Sequence, residues 1–418
     1  MCTHIARSRM TPQRIGGITL ALLVAAAVPL AAPGEALVPG AAEGAPGWLL
    51  GLYGGGLGLD EGAYLAALVV AFAAYLAVAV CASSLDRRVL WGAIAVLVVG
   101  FAVAPPLLSL DVFSYISYAR LGADEGLNPY DAAPADLVDD SAASRVEDFR
   151  FAVSAYGPLF TFATYPLGLV SVPAALWALK AAAAASVLGV AALTARLAAT
   201  RGVSPDGAAA LVALNPLVLV HVVGGAHNDG VMVLALAAAA AGVVAGLAAG
   251  PGSWLVAAAA IKVSGAFAAP FAALGADRPG RLLAGAALAV STLGAVSLAV
   301  FGANVVDALG IIGGNQNESS HYSVPSTVAR IAGVPDDPVR YVFLGAYAML
   351  VAWLLWWTWR GGDWLRATAW AAAGLLLASA WLVPWYVIWA LPFAAVARDR
   401  AVVAVVLGVC ALQLPTAL

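Results

Sequence analysis

Charge is what this chain most conspicuously lacks. Only 10% of its 418 residues are Asp, Glu, Lys or Arg, against about 25% in soluble domains, while 63% are hydrophobic. That balance excludes a water-soluble fold. Cysteine is nearly absent: Cys2 lies in the N-terminal tail, and Cys81 and Cys410 lie in apolar segments far apart in sequence. A disulfide framework and a CxxC metal or redox site are therefore both excluded. The four histidines form no HxxxH or HExxH spacing and the acids form no DxDxDG loop, so a metal is not expected. No internal repeat is visible, and nothing points to nucleic acid.

What is present is apolar sequence in runs near the ~20 residues that span a hydrocarbon core. Spans are predicted at 15–33, 62–82, 90–107, 174–199, 207–223, 229–249, 281–302, 339–359, 367–382, 385–397 and 401–416. A further run, 253–274, is interrupted by Lys262 and Pro270 and reads as two half-helices returning to the side they entered. The whole chain, 1–418, is expected to be one all-α polytopic membrane domain. The first span is read as retained, the alternative being a signal peptide cleaved near Ala31-Ala32-Pro33-Gly34.

Orientation follows from Lys and Arg in short loops. With a cytoplasmic N-terminus and a hairpin at 253–274, Arg7, Arg9, Arg14, Arg87, Arg88, Arg196, Arg201, Arg278, Arg281, Arg360, Arg366, Arg398 and Arg400 all fall inside. Outside remain Arg120, Arg145, Arg150, Arg330 and Arg340, with Lys180 and Lys262 in apolar segments. Every acidic residue except Asp86, Asp206, Asp277, Asp363 and Asp399 then faces outward. Two external loops are long, roughly 108–173 and 303–338, and long loops in a compact protein usually carry function.

Four polar groups meet on that external face. The first loop leaves the membrane at Pro105-Pro106 and carries Asp111, Tyr115 and Arg120, the turn Asn128-Pro129-Tyr130-Asp131, Arg150 and Tyr156. Its end, 159–173, is broken by prolines and reads as an interfacial segment. A tight turn holds His227, Asn228 and Asp229; the second long loop holds His321, with Arg330 after it; and Trp381, Trp385 and Tyr386 end a span.

Each has a plainer reading. Asp111 fits an N-cap as well as a catalytic carboxylate, and Asp131 fits an Asx turn. Asn228 or Asp229 can cap the next helix, and His321 can be merely solvated. Trp381, Trp385, Tyr386 and Trp389 fit the aromatic belt of a bilayer boundary better than sugar stacking. Lys262 reads as snorkelling to the cytoplasmic surface, with a ligand phosphate as the alternative partner.

The segments Asp111-Val112-Phe113-Ser114-Tyr115, Gly126-Leu127-Asn128-Pro129-Tyr130, Tyr156-Gly157-Pro158-Leu159, Asn215-Pro216-Leu217, Gly224-Gly225-Ala226-His227-Asn228-Asp229 and Pro384-Trp385-Tyr386 together resemble the actinobacterial polyprenol-phosphate-mannose-dependent α-1,6-mannosyltransferases of the GT-C superfamily. The resemblance implies a GT-C glycosyltransferase fold of about eleven to thirteen transmembrane helices, with an acidic residue in the first external loop beside the membrane, a place that Asp111 fills here. It implies an inverting transferase in the cell membrane, moving mannose from polyprenyl-phosphate-mannose to a mannan or lipoglycan acceptor on the extracytoplasmic side. No cofactor is implied. On that reading Asp111 is the base. The leaving phosphate would meet Arg120, Arg150 or Arg330. Asn228, Asp229 and His321 would bind sugar hydroxyls, and Tyr115, Tyr156 or Tyr386 would stack. The remaining site candidates are Asn128, Tyr130, Asp131, His227 and Trp385. The alternatives are a GT-C transferase for another polyprenol-linked sugar, or a transporter or flippase for a lipid-linked sugar.

Overall fold

The computed structural model describes residues 11–39, 46–147, 149–306 and 319–417, and these form an all-α polytopic bundle. Residues 307–318, most of the first half of the second long loop expected from sequence, lie outside the described residues. The helices are α1 (Pro12–Ala31), α2 (Glu61–Cys81), α3 (Arg87–Ala102), α4 (Asp111–Ala123), α5 (Pro158–Ala163), α6 (Tyr165–Gly168), α7 (Val172–Thr200), α8 (Pro205–Ala213) and α9 (Asp229–Val244). They continue with α10 (Gly250–Ile261), α11 (Ala269–Gly275), α12 (Pro279–Phe301), α13 (Val324–Ala332), α14 (Asp336–Trp359), α15 (Trp364–Ala378), α16 (Leu391–Val396) and α17 (Arg400–Leu412).

Among the described residues, α1, α2, α7, α12 and α14 are long and apolar enough to cross a membrane unaided. Most other expected spans are shorter or broken, because prolines remove a backbone donor and clash with the preceding turn. Asn215-Pro216 separates α8 from a π-helical segment, Val218–Gly224, with a bend of 65°. The expected span 385–397 is a 3-10 segment, Pro384–Trp389, followed by α16, with Pro392 at the second break. The proline-broken interval 159–173 consists of α5, α6 and the start of α7.

Residues 250–275 fold back on themselves. The start of α10 packs beside the start of α12, with Gly252 against Leu282 and Gly285 against Ala249 so closely that a Cβ at either would overlap a carbonyl. The far limb, α11, ends at Gly275 against the Trp364 ring, immediately before α12. Both ends of the hairpin are thus at one end of the bundle, and its tip, around Lys262, is at the other.

The hairpin's base belongs to the Arg-rich end. There Asp86, Asp363 and Asp399 cap α3, α15 and α17 through backbone N–H groups. Three ion pairs tie helices together at the same end: Arg87–Asp206 at 3.7 Å, Arg201–Asp363, and Arg366–Asp399 at 2.7 Å. Trp91 and Trp370 donate their indole N–H to Asp206 and Asp399. Asp86, Asp206, Asp363 and Asp399 are thus engaged in capping and pairing. The opposite end is organised around a cavity.

Candidate active site

Asp111 opens α4, and its side chain makes no capping bond; Leu110 occupies the N-cap. The backbone N–H of Asp111 donates to Ser109 Oγ at 3.2 Å. The carboxylate turns instead toward the turn after the π segment, where its Oδ2 lies 3.4 Å from His227 Nδ1. His227 is fully buried and stacks on the Trp385 indole, ring centroids 3.7 Å apart and 16° from parallel. Two of the four non-glycine residues with positive φ among the described residues flank this pair: Leu108 (φ 56°) before Asp111 and Ala226 (φ 58°) before His227. Left-handed backbone at residues with a Cβ is retained only where the surroundings over-determine it.

The facing wall is built on Asp229, the first residue of α9. Its buried carboxylate accepts from Lys262 Nζ at 2.9 Å on each oxygen and from Trp389 Nε1 at 2.6 Å. Lys262 Nζ also sits 4.6 Å from the Tyr386 ring centroid and 5.6 Å from that of Trp389, and those two rings stack at 4.0 Å. The hairpin tip is fixed to the first long loop as well, by the Gly157 N–H donating to Ile261 O at 3.0 Å.

Between the walls lies a cavity of about 400 Å³, a size usual for small-molecule sites. Asp111, Ser114, Tyr118, Tyr156, Lys262 and Ser264 give it polar lining, while Leu344 and Tyr347 of α14 with Leu375 and Ala378 of α15 contribute largely apolar lining. Enclosure alone would push the Asp111 carboxyl up; the adjacent His227 ring and the Lys262 ammonium outweigh it and hold the group below the ordinary carboxylate value. Asp111 is thus ionised at neutral pH, with a side chain 21% exposed. Burial and the Asp111 charge push the Tyr156 hydroxyl up, keeping it a proton donor. Among the described residues no three His, Cys, Asp or Glu side chains gather as a metal ligand set.

The structure redistributes several expected roles. Trp385, Tyr386 and Trp389 line the cavity, so the belt reading fails for them. Lys262 does not snorkel toward the Arg-rich end; it lines the cavity, 16% exposed, paired to Asp229. Asp229 is correspondingly committed to Lys262 and Trp389 and is not open to a sugar hydroxyl. Asn228 is buried behind the wall, with no hydrogen-bond partner on its side-chain amide among the described residues. Tyr115 packs edge-on against Tyr156 and Phe160, supporting the wall from below.

The expected phosphate cations stand elsewhere. Arg120 pairs with Asp140 at 2.6 Å and donates to Val170 O. Arg150 is exposed, and Arg330 donates to the exposed His321 through its carbonyl at 2.9 Å. None of the three lines the cavity. His321 does not line it either, although its neighbour Ser320 donates to Leu382 O beside the cavity residue Trp381. Asn128 donates to Phe301 O and accepts from Tyr130 N–H, Tyr130 donates to Tyr156 O, and Asp131 is exposed. These residues shape the loop. Of the residues that sequence reasoning placed outside the site, Lys262 matters most, and its signal was a lone ammonium in an apolar run.

Residues 15–278 match the profile of the α-(1→6)-mannopyranosyltransferase family, N-terminal domain. The chain belongs to this family. An α-(1→6)-mannopyranosyltransferase of Mycobacterium tuberculosis is 33% identical over 136 residues, 31% of this chain and 23% of that protein. α-(1→6)-Mannopyranosyltransferase A of the same organism is 32% identical over 181 residues, 40% of this chain and 34% of its own length. α-(1→6)-Mannopyranosyltransferase B of Corynebacterium glutamicum is 29% identical over 133 residues, 30% of this chain and 22% of its own. The similarity thus covers between about a fifth and a third of these curated relatives. No solved structure matches the chain. Asp111, the His227 turn and Lys262 all lie within the residues that define family membership.

Proposed function

We propose that the protein is an inverting α-1,6-mannosyltransferase that takes mannose from polyprenyl-phosphate-mannose and delivers it to a mannan or lipoglycan acceptor at the extracytoplasmic face. The observation carrying this reading is a single cavity lined by two chemically different sets of residues: the ionised Asp111 carboxylate and the Lys262 ammonium, and residues of two largely apolar helices. A donor made of a sugar, a phosphate and a lipid tail has the same division. The Arg-rich opposite end of the bundle supports the assignment of the cavity to the outside.

In the reaction the acceptor hydroxyl oxygen attacks C1 of mannose and the C1–O bond to phosphate breaks. The hydroxyl proton passes to Asp111, and the bonding pair leaves with the polyprenyl phosphate. Attack opposite the leaving group turns a β-linked donor into an α-linked product, with no covalent intermediate. Polyprenyl phosphate is a good leaving group, so one base suffices. Lys262 faces the position where phosphate charge grows; Asp229 holds that ammonium at the hairpin tip, and Trp385 and Tyr386 offer faces to the sugar.

The test is transfer from labelled polyprenyl-phosphate-mannose to a short mannoside in membranes, wild type against Asp111→Asn. General-base loss is worth roughly 100- to 10,000-fold, so the variant should fall at least 100-fold. Undiminished transfer by the variant removes Asp111 as base. A wild type that ignores mannose but uses another polyprenol-linked sugar moves the donor.

A further inference from the structure

Lys180 is buried in the third turn of α7, a helix long enough to cross the membrane, with 1% of its surface exposed. Among the described residues it has no ion-pair partner, and the acceptors of its ammonium are two main-chain carbonyls: Pro105 O at 3.2 Å and Gly224 O at 2.5 Å. An ionisable group inside a span is costly and marks a requirement. An apolar side chain would fill the same space without that cost, so the requirement concerns the two carbonyls.

Those carbonyls belong to the two segments that deliver the catalytic pair. Pro105 ends the connection from α3 and leads through Leu108 to Asp111; Gly224 ends the π segment and leads through Ala226 to His227. The segments also touch directly, with the Leu107 N–H donating to the same Gly224 carbonyl at 3.3 Å. A Cβ on Gly224 would come within 2.7 Å of the Leu107 side chain. Each segment passes through its left-handed non-glycine residue just beyond the clasp. Strained backbone on both sides of a functional contact needs a fixed point, and the ammonium reaches both.

We infer that Lys180 is a positioning residue: it clasps the Asp111 segment to the His227 turn and thereby sets the contact between the two side chains. It touches neither donor nor acceptor. The inference rests on the reading of Asp111 as the base only for its kinetic consequence; the geometric consequence can be read without turnover. Asp111 is surrounded by His227 on the turn, Lys262 on the hairpin tip, Tyr115 and Tyr118 on α4, Tyr156 in the loop, Tyr386 on the 3-10 segment and, beyond Tyr115, Asp229 on α9. If the clasp opens, His227 is the neighbour whose relation to Asp111 changes, and the carboxyl loses the partner that favours its ionised form.

The full chain in lipid nanodiscs serves for the test, as wild type, Lys180→Met and Lys180→Gln. Reaction of Asp111 with a hydrophobic carbodiimide, which takes only the protonated acid, is followed against pH by peptide mass spectrometry. Transfer kinetics are measured alongside. The Met variant should remain monodisperse, its half-labelling pH should rise by about one unit, and kcat should fall about 100-fold, as expected for a displacement near 1 Å, with the donor KM within about threefold. The Gln variant, which keeps N–H donors on a shorter side chain, should lie between. An unchanged labelling midpoint in the Met variant overturns the proposal, and so does failure of both variants to fold, which would make Lys180 a folding residue alone. A wild type without mannosyl transfer whose midpoint still shifts on substitution overturns the mannosyltransferase reading and upholds the clasp.

Discussion

The Lys262–Asp229 pair should be both the structural tie of the hairpin and the source of positive charge in the cavity, and the two roles separate on substitution. Asp229→Asn keeps an oxygen for the Trp389 N–H but removes the counter-charge of an ammonium only 16% exposed. Breaking a buried pair from one side costs about 3–5 kcal/mol. Here the Tyr386 and Trp389 rings return about 0.5–1 kcal/mol to the orphaned cation, placing this variant near the lower end, about 3 kcal/mol. Lys262→Met strands a carboxylate with 0% exposure and a single remaining donor, so about 4 kcal/mol is expected. The double variant removes both charges and should cost less than Lys262→Met alone, so the two effects should be strongly non-additive. Denaturant titration in detergent micelles, followed by tryptophan fluorescence, gives these values. In transfer assays Lys262→Met should lose roughly 100- to 1000-fold in kcat, and Asp229→Asn, which keeps the ammonium, should lose less. A stability change under about 0.5 kcal/mol for Asp229→Asn, additive effects in the double variant, or the reverse order of activities would refute the reasoning.

Two other perturbations probe the same walls. Gly157 has an ordinary φ of −68°; what it lacks is room, since a Cβ would overlap the Ala260 carbonyl in the hairpin. Gly157→Ala should cost about 1–3 kcal/mol and displace the tip bearing Lys262, lowering kcat at least about tenfold; a variant matching wild type in melting and turnover would contradict that geometry. The pH–rate profile of kcat/KM should show its acidic limb below the ordinary carboxylate value of 3.8, because Asp111 is held down in the folded chain. The linked stabilisation has the same sign: it is present above the unfolded value and is lost as pH falls through the lower, folded one. An acidic limb above 3.8 would show that burial, not His227 and Lys262, dominates at Asp111.

The parts of the site legible in sequence were those that lie on short segments at span ends. Asp111, His227, Trp385 and Tyr386 each follow an apolar run directly, so their depth in the membrane is fixed within a turn or two. The hairpin was legible too, because a full crossing at 253–274 would have put Arg278, Arg281 and the basic residues after them on the wrong side. Partners were not legible. Lys262 finds Asp229 across 33 positions, and a lone lysine in an apolar run gives no hint of the direction in which it points. Arg120 looked free for a phosphate because its acceptor, Asp140, lies 20 residues away in a loop without periodicity. Arg330 does not line the cavity, for a related reason: following a long loop says nothing about which way the loop folds.

The broken elements carry the remaining information. In hydrocarbon every backbone polar group must be satisfied within its own segment, so irregular backbone at membrane depth persists only where protein surrounds it or it borders a cavity. Three such breaks stand out among the described residues: the π segment Val218–Gly224, the hairpin turn at Lys262, and the 3-10 segment Pro384–Trp389. Each contributes to the end of the bundle that holds the cavity: the first leads to His227, the second presents Lys262, and the third supplies Trp385, Tyr386 and Trp389. Their coincidence at one end of the bundle is what the prolines alone do not require, since Pro216 and Pro384 fix where two of the helices break and not what the breaks adjoin. The irregular backbone therefore locates the site independently of its side chains. It also explains why the clasp at Lys180 falls where it does, at the junction of the π segment with the loop that brings Asp111.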